Sequence, residues 1–173
     1  MTEPNPYEAP NAELMDDRTA ANDAHLADRG ARLLASIIDT FILLAINLPL
    51  MWFSGYLETA MRSATMGVEQ PMATTLMWAA IGFAIFIVVQ GVPLARSGQT
   101  IGKKLLRIRI AHLDGSKPTL ATLLAKRYLP VNLVNLVPFV GGLLGLVNVL
   151  LIFRADRRCG HDLVAGTQVV KVD

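Results

Sequence analysis

Two long apolar stretches stand out along the chain, at 33–53 and at 73–94, and a polar segment at 54–72 separates them. Each stretch is long enough to cross the roughly 30 Å hydrocarbon core of a bilayer as a helix. We therefore expect two transmembrane helices joined by a short polar loop. A further apolar region runs from Tyr128 to Phe153, and its length alone does not fix the number of times that it crosses the membrane.

This last region could form one long helix or a helical hairpin. The sequence PFVGG at 138–142 favours the hairpin, because proline and paired glycines disfavour a helix interior. We expect a third helix at about 119–137 and a short fourth helix at about 142–153. Four transmembrane helices are favoured, and three are the alternative.

Two short stretches have patterns that are typical of strands. Residues 105–112 alternate between arginine and isoleucine and lead into the turn signal Asp114–Gly115, and residues 167–172 are β-branched after Gly166. We expect the two strands to pair antiparallel on the cytoplasmic side. The predicted fold is therefore an all-α polytopic membrane protein with a small β-hairpin-like strand pair.

Composition supports this fold class, because 53% of the 173 residues are hydrophobic and only 17% are charged. Residues 1–30 differ from the rest, with seven acids, two arginines and few large apolar side chains. We expect this segment to be a disordered acidic tail, and residues 31–173 to form the membrane domain. No apolar segment follows Met1 closely, so a cleavable signal peptide is not expected.

Charge also predicts the topology. Residues 95–127 contain eight lysines and arginines against one acid, and RADRRCGH at 154–161 contains three arginines. Basic segments next to transmembrane helices remain on the cytoplasmic side, so we expect an even number of passes and two cytoplasmic termini. The chain has no basic tract interleaved with aromatic residues, so nucleic acid is not an expected partner.

The first apolar stretch contains charged and polar residues that call for an explanation. Arg32, Ser36 and Asp39 lie on one side of the predicted helix. A carboxylate at the centre of a transmembrane helix costs about 2.5–3.5 kcal/mol, so it is expected to be paired, to face water or to exchange protons or cations. Arg32, through Ser36 or water, is one candidate partner for Asp39, and Arg127 is another.

The remaining polar candidates are weaker. Asn132 and Asn135 share one helix face and could bond to neighbouring helices. His161 beside Asp162 is interpreted as a structural hydrogen-bonding pair. The three histidines lack a metal-ligand spacing, and no nucleophile or phosphate-loop motif occurs, so no metal, no cofactor and no enzymatic activity are predicted.

Three segments in this order resemble the RDD family of membrane proteins: Arg32 with Asp39, SGQTIGKKLLRIRI at 97–110, and RRCGHDLVAGTQVVKV at 157–172. The family is named for an arginine and two aspartates, and the resemblance implies that these are Arg32, Asp39 and Asp162. It implies a multi-pass protein of the bacterial inner membrane. Some members are linked to monovalent cation/proton antiport, which implies cations and protons as ligands.

The sequence and the resemblance are therefore consistent with two functions. In the first, the protein exchanges a monovalent cation for a proton, with Asp39 as the titrating group and Arg32 as its charge modulator. So small a bundle would need a homo-oligomer or a membrane-protein partner to enclose a path. In the second, it is a non-transporting scaffold or accessory subunit in which Arg32, Asp39, Asp162 and Arg127 form a structural polar network.

Overall fold

The computed structural model describes residues 25–137 and 140–172, which are mostly helical. The predicted acidic tail at 1–30 lies mainly outside these residues. In chain order the elements are α1 (Arg29–Phe53), α2 (Tyr56–Met66), α3 (Met72–Ser97), α4 (Ile101–Leu105), β1 (Ile108–His112), α5 (Leu120–Thr122), a π turn (Leu123–Tyr128), α6 (Leu129–Asn135), α7 (Val140–Leu150), a 3-10 turn (Leu151–Phe153), α8 (Gly160–Ala165) and β2 (Thr167–Lys171).

The two long helices, α1 and α3, are long and apolar enough to cross a membrane. Both begin before the predicted stretches, and α3 also ends later. Large apolar side chains on their surfaces are exposed, including Phe41, Trp52 and Val88. A soluble protein would bury such residues, so this surface suits contact with lipid.

The segment between these helices is not the polar loop that the sequence predicted. It forms α2, which is flanked by Gly55 and Gly67. Both glycines are in the left-handed region, with φ of 73° and 67°. Glu58 and Arg62 form an exposed ion pair at 2.8 Å along the helix. The helix is amphipathic, with apolar side chains that recur at helical spacing, so the sequence contained a signal for it, although the stretch is too short and too polar to cross a membrane.

The predicted antiparallel pairing of the two strands is confirmed. Ile108 pairs with Lys171 and Ile110 with Val169, so the buried side chains of both strands face the same core. The observed β1 starts later than the predicted 105–112, because the chain is still helical at Leu105 and Arg107 has a left-handed φ of 52°.

The last apolar region is divided into short helices. The π turn precedes α6, where Pro130 lacks the N–H that would continue a regular α-helix. α7 packs closely against α6, since a Cβ on Gly141 would lie 2.8 Å from the Asn135 Cα. Pro138 and Phe139, in the predicted turn, lie outside the described residues.

The buried core lies at one end of the molecule. It is formed by Ala27, Ala35, Leu94, Ile108, Ile110, Leu123 and Val169. These residues bring the start of α1, the end of α3, the π turn and both strands together. The residue before α1 also joins the sheet, since Ala27 N donates to Val169 O at 2.9 Å. The polar residues of the family resemblance lie around this core.

Candidate functional site

Asp162 lies at the centre of the most buried polar group in the described chain. It is fully buried in the first turn of α8, and its Oδ2 accepts a hydrogen bond from Arg32 Nη2 at 2.5 Å. Its Oδ1 accepts from Arg127 Nη1. Cys159 N donates to Oδ2 at 3.1 Å and Thr167 Oγ1 donates to Oδ1 at 3.3 Å. We call these five residues the Asp162 cluster.

The carboxyl group of Asp162 is kept ionised by the residues around it. Burial alone would raise the pKa of the Asp162 carboxyl, but Arg127, Arg32 and the N–H of Cys159 outweigh burial and hold that pKa well below its usual range. Arg32 and Arg127 are 5% and 3% exposed, so neither guanidinium can exchange its carboxylate partner for bulk water. The cluster therefore ties α1, the π turn and α8 together through ionic hydrogen bonds.

Asp39 belongs to a second, separate group. Its Oδ1 accepts from Gln90 Nε2 at 3.0 Å and from Gly102 N at 2.8 Å, and its Oδ2 accepts from Thr100 Oγ1 at 2.5 Å. Gln90 also accepts from Ile101 N at 2.8 Å. We call Asp39, Gln90, Thr100 and Gly102 the Asp39 cluster. One residue from each long helix thus binds the amino-terminal N–H groups of α4, which no earlier turn of helix satisfies.

The close approach of α4 to α1 depends on Gly102. A Cβ at this position would lie 2.3 Å from the backbone oxygen of Ala35 and 3.0 Å from the Asp39 carboxyl. No side chain fits into that space, so glycine lets the Gly102 N–H reach the carboxylate. Glycine at position 102 is therefore required for packing.

The similarity of the sequence to known proteins identifies the family. The sequence model of the RDD family matches residues 26–166, which include α1, the Asp39 cluster, α8 and every residue of the Asp162 cluster except Thr167. The chain belongs to the RDD family. It is also similar to the "Uncharacterized protein YckC" of Bacillus subtilis (strain 168), with 39% identity over 77 residues.

That match covers 44% of this chain and 50% of YckC, so the chain spans about half the length of this curated relative. No solved structure matches the chain. The clusters described above show how Arg32, Asp39 and Asp162, to which the resemblance assigns the arginine and the two aspartates of the family name, are arranged in this RDD protein. Arg32 and Asp162 share one cluster, and Asp39 lies in the other.

Arg32 does not bond to Asp39, the partner that the sequence spacing suggested. Arg32 bonds to Asp162 and to the carbonyl oxygen of Arg157, and Arg127 also bonds to Asp162. Ser36 Oγ donates to the Arg32 carbonyl at 3.0 Å, one turn back on the same helix. Neither arginine forms a hydrogen bond to Asp39 within the described residues.

The other predicted polar residues have local partners. Asn132 Nδ2 donates to Tyr128 O at 2.9 Å on its own helical run rather than to a neighbouring helix. Asn135 lies at the close contact with α7. His161 uses both its backbone N and its Nδ1 to contact Asn148 Oδ1, each at 3.0 Å, and its Nε2 is 3.8 Å from Asp162.

Three possible metal-ligand atoms lie close together, although the sequence has no recognised metal-ligand spacing. Ligand atoms of Cys159, His161 and Asp162 lie within 4.8 Å of one another. Burial, and then Arg127, lower the pKa of His161 to about 3, and burial raises the pKa of Cys159, so imidazole and thiol are both neutral at pH 7. Both oxygens of Asp162 already face guanidinium groups. A divalent cation there would meet two buried positive charges, so the arrangement does not suit a metal.

Sequence reasoning missed Gln90, Thr100, Lys103 and Thr167, which contribute to these sites. Thr100 had a local signal, because it caps α4 by accepting from Lys103 N. Gln90 and Thr167 had none, since their roles depend on partners that lie far away in the sequence.

Proposed function

We propose that this RDD protein is a non-enzymatic, non-transporting scaffold or accessory subunit of the bacterial inner membrane. The observation that carries this proposal is that the charged groups of the two clusters are committed to structural bonds. Asp162 accepts from two arginines, and both oxygens of Asp39 accept from protein donors. A membrane-protein partner or a second copy of the chain would bind the exposed apolar surface of the long helices.

Cation/proton exchange, the other function inferred from the sequence, has less support. A cation site needs oxygen lone pairs that converge on open space. At Asp39 those lone pairs accept hydrogen bonds from Gln90, Thr100 and Gly102. The nearby Lys103 adds a positive charge within electrostatic range of Asp39. Both features oppose entry of a second cation.

Catalysis also has little support from the buried reactive groups. A nucleophilic cysteine must form a thiolate, and the pKa of Cys159 is raised by burial. The imidazole of His161 is bound to Asn148 rather than to Cys159 or to another nucleophile. These environments favour structural roles for both side chains.

A reconstitution experiment tests the transport question directly. We expect liposomes that contain the purified full chain to show the same cation-dependent proton flux as empty liposomes, while liposomes with a known antiporter respond. Flux that depends on the protein and is abolished by Asp39→Asn would overturn the proposal. Flux that persists in Asp39→Asn would also overturn it, and would locate the transport path away from Asp39.

A positive test uses photo-crosslinking in cells. A photoreactive residue at Phe41, which is 67% exposed on α1, should yield one discrete crosslinked species. A matched site is Arg62 on α2, which is exposed and forms an ion pair with Glu58. A diffuse, concentration-dependent smear from both sites would show that the apolar surface binds lipid alone.

We further propose two full membrane passes and a re-entrant helical hairpin, with both termini cytoplasmic. The sequence favoured four passes, but α7 has 11 residues and is about 17 Å long, well short of the roughly 30 Å hydrocarbon core. The helical run 120–135 is about 24 Å long, which is also short of that thickness. It contains Arg127, whose guanidinium group bonds to Asp162. The basic segments on both sides of this hairpin support a shared cytoplasmic side.

Thiol labelling distinguishes the two topologies. A cysteine at Leu143, near the start of α7, should resist a membrane-impermeant maleimide added from the periplasm. A cysteine at Thr65 in α2 should react, which makes it the matched control. Equal labelling of both positions would restore the four-pass topology.

A further inference from the structure

A small cavity with several charged side chains in its lining lies beside the Asp162 cluster and has no role in the proposed function. Its volume is about 160 Å³, and it is bounded by the start of α1, by α4, by the π turn, by α7 and by α8. The polar side chains that line it are Arg32, Ser36, Lys103, Arg127, Asn148 and His161. Its described lining therefore has three cations and no carboxylate.

Lys103 lacks the anion that a buried cation normally requires. Its side chain is only 8% exposed, and within the described residues no carboxylate oxygen lies within 4.0 Å of Nζ. Among these residues, the hydrogen-bond contact of Nζ is with Thr100 Oγ1 at 3.5 Å, and that hydroxyl already donates to Asp39. Burial, and then Arg127, lower the pKa of Lys103 to about 8, so the ammonium is still mostly charged at pH 7.

The negative charges nearby do not balance the three cations. Asp162 is shared between Arg32 and Arg127, which already leaves one positive charge in excess. Asp39 is the other nearby carboxylate, and its oxygens accept from Gln90, Thr100 and Gly102 rather than from Lys103. A buried group with net positive charge and an adjoining cavity is suited to an external anion.

Further donors face the same space. Asn148 Oδ1 accepts from the backbone N of His161 and contacts its Nδ1, so the Nδ2 group of Asn148 is left to donate. Apolar side chains that are largely exposed also line the cavity, with Leu33 on α1 49% exposed and Val149 on α7 45% exposed. The cavity thus adjoins the apolar surface that suits contact with lipid.

We propose that this cavity binds a phosphate group, and that the source of the phosphate is the head group of an anionic phospholipid. A tetrahedral phosphate has several acceptor oxygens and a negative charge, which matches converging lysine, arginine and amide donors. The adjoining exposed leucine and valine suit the first part of an acyl chain. Basic pockets between transmembrane helices are a known means of recognising such head groups.

The test uses the purified full chain in a neutral detergent, with three probes measured by isothermal titration calorimetry. The probes are dioctanoyl phosphatidylglycerol, dioctanoyl phosphatidylcholine and inorganic phosphate. We expect saturable binding of phosphatidylglycerol that weakens at least about tenfold in Lys103→Met, since a hydrogen bond to a charged group contributes about 1.5–3 kcal/mol. Lys104→Met is the matched control, because Lys104 is adjacent and exposed, and it should bind as the wild type does.

The probes also distinguish the source of the phosphate. Lys103-dependent binding of inorganic phosphate as tight as that of phosphatidylglycerol would show that the site takes a soluble phosphate and would overturn the lipid assignment. Absence of saturable binding by any probe would overturn the site itself. Equal loss in Lys103→Met and Lys104→Met would also overturn it, because diffuse surface charge would then explain the binding.

A stability measurement covers the possibility that Lys103 is structural. Without any probe, Lys103→Met should unfold at the same temperature as the wild type or higher, because it removes an uncompensated buried cation. Phosphatidylglycerol should raise the unfolding temperature of the wild type and of Lys103→Arg, but not that of Lys103→Met. A Lys103→Met protein that unfolds earlier, or fails to fold, would overturn the proposal in favour of a structural lysine.

Discussion

The Asp162 cluster and the Asp39 cluster bind a buried or half-buried carboxylate in different ways. Asp162 is fully buried and bonds to two guanidinium groups. Asp39 is half-buried and bonds to an amide, a hydroxyl and a backbone N–H, with no ion pair among the described residues. Of these two carboxylates, the fully buried one is balanced by charged donors and the half-buried one is bonded by neutral donors.

The two clusters also differ in what they connect. The two ionic bonds of Asp162 join residues 130 and 35 positions apart along the chain, so they fasten remote segments. The neutral donors around Asp39 orient one short helix, α4, against α1 and α3. Loss of the first carboxylate should disrupt the fold, and loss of the second should shift one element.

The largest expected effect is that of Asp162→Asn. Both arginines would remain buried without a carboxylate, and breaking such a group costs about 3–5 kcal/mol. We expect little folded protein and a much lower unfolding temperature in detergent. Asp156→Asn is the control, since its ion pair with Arg154 is exposed and contributes about 0–1 kcal/mol. Normal folding of Asp162→Asn would contradict the structural role of the cluster.

Acid should reproduce part of this effect in the wild type. The pKa of Asp162 is lower in the folded than in the unfolded protein, so its contribution to stability is fully present above its ordinary pKa of about 3.9. That contribution is lost as the pH falls from there towards the folded-state pKa. Unfolding curves measured between pH 7 and pH 5 should therefore show no change that arises from Asp162, and a stability loss centred near pH 6 would point to another group.

The next effect is that of Gly102→Ala. The added methyl group would lie 2.3 Å from the Ala35 carbonyl oxygen, so α4 must move away from α1 and from Asp39. We expect a loss of about 3 kcal/mol, at the upper end for overpacking. Gly142→Ala in α7 meets no atom within 4 Å and should be neutral or slightly stabilising. Equal unfolding temperatures for the two variants would show that α4 is not held tightly.

Asp39→Asn should have a smaller effect than either change. With its oxygen towards Gln90 and Gly102, the new amide would turn its NH₂ group towards the Thr100 hydroxyl, which donates to Asp39 in the wild type, at a cost of about 1–2 kcal/mol. The fold should persist, with faster amide exchange confined to α4. Glu58→Gln on exposed α2 serves as the control for charge removal. A loss as large as that of Asp162→Asn would remove the distinction between the clusters.

Ser36→Ala should have the smallest effect. Ser36 lies on α1 between Arg32 and Asp39, but its hydroxyl bonds only to the Arg32 carbonyl within the described residues. We expect a change within about 0.5 kcal/mol in chemical denaturation. A clearly larger loss would mean that Ser36 couples the two clusters through a bridging water.

The sequence was sufficient to predict the features that depend on local pattern. Apolar length predicted α1 and α3, and alternation predicted β1 and its partner. Spacing along one helix suggested Arg32 as a partner for Asp39, yet the arginine bonds to Asp162 instead. No local pattern could indicate a partner 130 residues away.

Helix α2 and the burial of Lys103 were missed for different reasons. The apolar residues of α2 recur at helical spacing, but the stretch lies between two much more apolar ones and is too short to cross a membrane. Burial of Lys103 follows from the contact of Gly102 with Ala35, and that contact exists only in the folded chain.

Arg32 and Asp162 are in contact in the fold but lie 130 positions apart along the sequence, which has a consequence for biosynthesis. At 5–20 residues per second, the ribosome needs roughly 6 to 26 seconds to add the residues between them. During that time the first helix can enter the bilayer with its arginine still lacking the acid that it binds in the mature fold. A nascent chain that stops before Asp162 retains two unmatched guanidinium groups. Such a truncated product exposes a feature by which a membrane protease can distinguish it from the finished protein.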